Sequence, residues 1–99
     1  MSSVPVTVTA RLKAQPGKQT ALRELLAALV VPTRREDGCL NYDLHVASDD
    51  PSVLLFHENW RSKADLDRHL GSPHVTAVLA QLPALLAEPP EMTLWSKIA

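Results

Sequence analysis

The sequence predicts an α+β fold of the ferredoxin-like kind, βαββαβ, with an antiparallel sheet and both helices on one face. Three observations lead there: strand-like runs in four places, helical apolar spacing in two others, and turn residues between them. The 99 residues are read as one domain, 1–99, a length that buries roughly 60–70% of the unfolded surface.

Residues 4–13, VPVTVTARLK, set Val4, Val6, Val8, Ala10 and Leu12 against Pro5, Thr7, Thr9 and Arg11. Period two with β-branched residues predicts a strand with one apolar face. Gln15-Pro16-Gly17 breaks it. Over 18–31, Leu22, Leu25, Leu26, Leu29 and Val30 take the spacing of an amphipathic helix. Pro32 limits that helix by pushing Val31 from the α region, with a ragged turn through Arg35 left open.

Asp37-Gly38 is a turn signal. In CLNYDLHVA, residues 39–47, Leu40, Tyr42, Leu44 and Val46 alternate onto one face, and Ser48-Asp49-Asp50-Pro51 turns the chain again. SVLLFHENW, residues 52–60, completes a hairpin. A broken helix is predicted over 62–82. Ser62 caps its first half, with Asp65 near the positive end. Gly71 closes that half, and Ser72-Pro73 opens the second, whose face is Val75, Val78, Leu79 and Leu82. Pro83 ends or kinks it, and MTLWSKIA, residues 92–99, fits the last strand.

Composition excludes several classes of function. Ten basic against eleven acidic residues, with Arg34-Arg35 followed at once by Glu36-Asp37, lack the footprint of a nucleic-acid binder. The lone Cys39 rules out an intrachain disulfide and gives too few thiolates for a zinc site. No apolar run approaches the ~20 residues of a membrane span, and the start MSSVPVTVTA lacks a signal pattern. The expectation is a soluble, cytoplasmic protein without nucleic-acid or membrane partners.

Four motifs resemble a known family. PGK at 16–18, EDGCLNY at 36–42, ENW at 58–60 and HLGSPH at 69–74 are similar, in order and spacing, to the antibiotic biosynthesis monooxygenase domain, especially its short quinol-monooxygenase-like members. The resemblance implies a dimeric α/β barrel, in which the sheets of a homodimer pack face to face. It also implies oxygenation of a small aromatic or quinol-like substrate by molecular oxygen, with no metal, flavin or haem. A haem-degrading branch resembles the chain more loosely. Its asparagine, tryptophan and histidine fall here on Ala10, His69 and about Leu79, none of which matches.

Cofactor-free oxygenation needs a base, donors for a developing oxyanion and a dry pocket. On the resemblance, the catalytic candidates are His69, Trp60 and Glu58, and the substrate-binding candidates are Tyr42 and Phe56. His69 lies one helical turn after Leu66 and Asp65, turned toward the apolar side. It reads either as the base, with an ordinary pKa of ~6.5, or as a helix histidine bonded for structure. Glu58 and Trp60 share a strand face with Leu54 and Phe56. Glu58 reads as the group that orients a histidine, or as a carboxylate paired across the sheet or dimer seam. Trp60 reads as a wall for an aromatic substrate or as a core cap, and Tyr42 as a pocket donor or a core tyrosine.

His45 and His57 point to the opposite face with Asn41, Asp43 and Asn59, in no recognised metal-ligand spacing, so no metal is expected. His74 is expected at a helix end or in solvent, and Cys39 as a small half-buried residue. Thr7, Thr9, Val53, Leu55 and Trp95 make the helix-free face too apolar in part to stay open, a second pointer to a homodimer. Two other activities remain open: proton transfer or isomerisation of a small metabolite by the same base, and a non-catalytic barrel that binds an aromatic ligand.

Overall fold

In the computed structural model, which describes residues 4–99, the elements follow the expected order; residues 1–3 of the expected 1–99 domain lie outside the described residues. They are β1 (Val6–Lys13), α1 (Gln19–Ala27), α2 (Val30–Arg34), β2 (Cys39–Ala47), β3 (Asp50–Trp60), α3 (Lys63–Leu70), α4 (Pro73–Gln81) and β4 (Glu91–Trp95). A 3₁₀ turn, Leu82–Ala84, extends α4 around Pro83. The four strands form one sheet in the order β2-β3-β1-β4, with every pairing antiparallel. This is the ferredoxin-like α+β arrangement. No helix among the described residues is long and apolar enough to cross a membrane.

The period-two pattern decides which sheet face the helices cover. Val8 and Leu12 of β1 and Leu54, Phe56 and Trp60 of β3 are buried in one cluster with Leu22 and Leu26 of α1, Leu66 of α3 and Val75 and Val78 of α4. Fully burying each such side chain contributes ~1.5–3 kcal/mol, so this contiguous layer is the main source of stability. The alternate residues Thr7, Thr9, Val53 and Leu55 lie on the other face and are only half-buried.

The elements differ in detail from the sequence reading. The helix expected over 18–31 is two helices, joined where the Leu29 N–H reaches the carbonyl of Leu26 instead of that of residue 25. Pro32 does not stop the helical segment, and the further turn through Arg35 that the sequence left open is α2. The proline is the third residue of α2, in a first turn whose N–H groups need no helical partner.

In β2, Cys39 pairs with Trp60 while Asn41 pairs with Asn59, so Leu40 is an extra residue, a β-bulge. The bulge overturns the expected Leu40-Tyr42-Leu44-Val46 face at its start. Cys39 packs against the core with Tyr42 and Leu44, and Leu40 is 60% exposed. Val46 is also largely exposed.

The last strand stops at Trp95, opposite Thr7, instead of running to residue 99. Continuing that register would set Lys97 opposite Pro5, which has no N–H to offer.

Ser62 caps α3 as its sequence predicts: its hydroxyl accepts from the Asp65 N–H at 3.2 Å and donates to Asp65 Oδ2 at 2.8 Å. Asp65 also receives Arg61 and Arg68, which together with Ser62 hold its carboxyl below the usual carboxylate range. Arg61 reaches on to Asp37, and its N–H donates to the Gly38 carbonyl at 2.8 Å. The loop between α2 and β2 is thereby tied to the start of α3. That tie brings Glu36 over the second turn of α3.

Candidate active site

Two chain patterns converge on one cavity. Along β3, alternation delivers Phe56, Glu58 and Trp60 to the helix side. Along α3, the stripe Asp65, Leu66 and His69 faces the same way, and all three are buried. The His69 ring lies against Trp60, with centroids 4.6 Å apart and 33° between planes. Tyr42 meets it edge-on at 5.3 Å, and Phe56 packs on Tyr42 at 4.6 Å. The cavity is about 150 Å³, and its wall includes Tyr42, Phe56, Glu58, His69, Val78 and Met92. Toward β4 it adjoins an open groove that shares Leu79, Leu82 and Pro90 with it.

The structure brings all five candidates of the sequence reading into contact or onto this wall. It also corrects how they are paired. Glu58 does not orient a histidine: its Oε1 accepts the indole N–H of Trp60 at 2.9 Å. The partner of His69 is Glu36, whose Oε2 stands 2.6 Å from Nδ1. The Nε2 of His74 is 2.9 Å from that same oxygen and 3.3 Å from the capping hydroxyl of Ser72. His74 is therefore at its helix end, as expected, but is also part of the cluster. Glu36 and His74 are the residues that the sequence reading missed. The only hint was their membership of the EDGCLNY and HLGSPH motifs, since neither follows an apolar period.

Electrostatics at the cavity follow from burial. Loss of water pushes Glu58 up to about 7, against the opposing pull of the Trp60 N–H. Burial lowers His69, with the Glu36 carboxylate pulling the other way. Burial also drives the Tyr42 hydroxyl far above its ordinary value and Cys39 up to about 11, so neither is an anion near neutrality. With Glu36 accepting at Nδ1, the proton of neutral His69 sits on that nitrogen. Nε2 has no hydrogen-bond partner among the described residues. Chemically, the site offers an oriented imidazole, a carboxyl that is half-ionised near neutrality, and aromatic walls.

On the opposite face the Asn41 amide contacts both the His57 ring and its carbonyl, and Asn59 donates to Asn41 at 2.7 Å. His57 is thus in a polar ladder across β2 and β3, with no route to the cavity through the sheet.

Comparison with known proteins agrees with this picture. Residues 5–81 match the family described as antibiotic biosynthesis monooxygenase. "Putative monooxygenase Rv0793" of Mycobacterium tuberculosis is 46% identical over 89 residues, 90% of this chain and 87% of that protein. Its solved structure aligns with 42% identity over 96% of each chain, at a TM-score of 0.91. The crystal structure of PA3566 from Pseudomonas aeruginosa gives 36% identity, 100% and 99% coverage and a TM-score of 0.93. "Probable quinol monooxygenase YgiN" of Escherichia coli is 29% identical over 73% of this chain and 79% of its own length.

Proposed function

From the premise that this chain belongs to the antibiotic biosynthesis monooxygenase family, we propose that it oxygenates a small aromatic, quinol-like substrate, with His69 as the base. The observation that carries the reading is the Glu36–His69 pair beside an apolar, aromatic-walled cavity. Glu36 holds the proton of His69 on Nδ1, so Nε2 takes the hydroxyl proton of the substrate. The resulting anion gives one electron to oxygen, and the two radicals recombine at a ring carbon. Loss of water then leaves a hydroxyquinone. The balance is one quinol and one O₂ to one hydroxyquinone and one water, with four electrons passing from substrate to oxygen. No external reductant enters.

Glu58, protonated below about 7, donates to the developing oxyanion, while the Trp60 N–H keeps its other oxygen in place. Tyr42 and Phe56 supply flat apolar surface for the ring, and the helices above exclude water. Two sheets packed face to face as a homodimer would cover the opposite face and leave this cavity on the helix side.

A second reading is proton transfer on a small metabolite. It is favoured by the coexistence of a base and a neutral carboxyl on one cavity, the pair an isomerisation uses. Oxygen uptake with a panel of monocyclic and bicyclic quinols separates the two. The monooxygenase reading expects one O₂ consumed per hydroxyquinone formed, without added metal or flavin. Deuterium exchange into a substrate with no oxygen uptake would replace it with the isomerase.

A further inference from the structure

Glu36, His69 and His74 lie within reach of one another on three separate segments: the loop before β2, the last turn of α3 and the first turn of α4. Their donor atoms all lie within 4.8 Å of one another. Two histidine nitrogens approach a single carboxylate oxygen, at 2.6 and 2.9 Å. Two imidazoles with one carboxylate is a donor set suited to divalent first-row transition ions. We infer that Glu36, His69 Nδ1 and His74 Nε2 form a site for such an ion, of which Zn²⁺ is the type case.

The geometry asks for little movement. Zinc bonds of ~2.0–2.1 Å in a tetrahedral site set ligand atoms ~3.4 Å apart. The two contacts to Glu36 must therefore open by under ~1 Å, and the two nitrogens must settle from no more than 4.8 Å to a similar spacing. His74 has the freedom to do so, since its side chain is 26% exposed where that of His69 is 3% exposed. The Glu36 side chain, at 17%, is also partly exposed. An ion therefore approaches from the His74 side, away from the cavity, and the fourth position faces solvent. Ser72 Oγ, 3.3 Å from His74 Nε2, is placed to bond a water there.

An ion on Nδ1 has one further consequence, which rests on the proposed role of His69. It takes the lone pair of that nitrogen, so the proton of the neutral ring must sit on Nε2. The nitrogen that faces the substrate changes from acceptor to donor, and the base is lost. The ion is in this sense an inhibitor that works by exchanging the tautomer.

The test is calorimetric titration of chelator-stripped protein with Zn²⁺ in the absence of substrate, repeated by absorption with Co²⁺. One ion per chain is expected, together with a ligand-field spectrum typical of low-coordinate Co²⁺. Glu36→Gln and His74→Ala should each weaken binding by at least about 10–100-fold, the range that even the outer partners of a metal site command. Both are conservative enough at a partly exposed site to be checked for native near-UV circular dichroism. His57→Ala, on the other face, should bind as the wild type does. Absence of saturable binding overturns the inference, as does affinity that survives Glu36→Gln and His74→Ala but falls with His57→Ala. Because the titrations measure no turnover, their failure leaves the monooxygenase reading standing. A separate oxygen-uptake assay with Zn²⁺ at saturation tests the link to His69: uptake should fall, and binding without that fall would remove His69 as the base.

Discussion

Glu58 makes the folded chain sensitive to pH in one direction. Its ordinary pKa of 4.5 is pushed to about 7 in the fold by burial. Below 4.5 both folded and unfolded chains hold the proton. As pH rises from there through about 7, only the folded state keeps it, so stability falls across that window. Glu58→Gln keeps an acceptor for the Trp60 N–H and removes the charge. It should match the wild type in pH dependence below 4.5 and gain on it above 7, by on the order of 3 kcal/mol. Urea unfolding at pH 4 and pH 8 checks this, and an equal gap at both would mean that Glu58 ionises freely. For turnover, His69→Ala should lower the rate by ~10²–10⁴-fold, the contribution of a positioned acid–base group, with the fold retained. His57→Ala should leave the rate near that of the wild type. Steady-state kinetics of the two variants on one converted quinol decide the assignment, and the reverse ranking would move the chemistry to the other face of the sheet.

Among the elements, the loop that carries Glu36 is held by a close approach. Gly38 has φ +88°, and a methyl on its Cα would overlap the Asp65 side chain. Gly17 has a similar φ of +82° with nothing within 4 Å, so it isolates the backbone part of the effect. Gly17→Ala should cost ~1–2 kcal/mol. Gly38→Ala should cost more, because Asp65 must leave its place between Arg61 and Ser62. Thermal unfolding of the pair measures the difference, and equal losses would mean that the loop is not braced there. This loop also marks how far the sequence could be read. The face shared by Phe56, Glu58 and Trp60 was legible because period two holds along β3, and His69 because it follows Leu66 on a helical stripe. The bulge at Leu40 was not, since an extra residue exists only relative to a partner strand. Nor was Glu36: it lies in a loop 33 residues from His69, and the contact depends on the Arg61–Asp37 tie, which no local periodicity records.

At the scale of the whole molecule, the uncovered face demands an explanation. Trp95 of β4, opposite Thr7, is 53% exposed, and among the described residues its indole N–H reaches only Thr9, at 2.9 Å. A homodimer closed over this face should make Trp95 emission shift to the blue with rising concentration, while the fully buried Trp60 stays constant. Leu55→Arg should hold the chain as a monomer in light scattering. A wild type that stays monomeric at micromolar concentration, with no loss of stability on dilution, would leave the barrel without support. The strand order β2-β3-β1-β4 also sets a timetable. The N-terminal strand is central, yet Val8 pairs with Glu58 and Leu94, separations of 50 (58 − 8) and 86 (94 − 8) residues. The β2–β3 hairpin, by contrast, closes within a few residues, with Ala47 opposite Asp50. Loop closure favours the short connection, so the hairpin is the natural nucleus and β1 is an early-made strand that must wait for both neighbours. Conservative truncations in β2 and β3 should therefore slow folding, whereas those in β4 should mainly speed unfolding. During synthesis this strand at the middle of the sheet emerges before either neighbour and is the last to be enclosed.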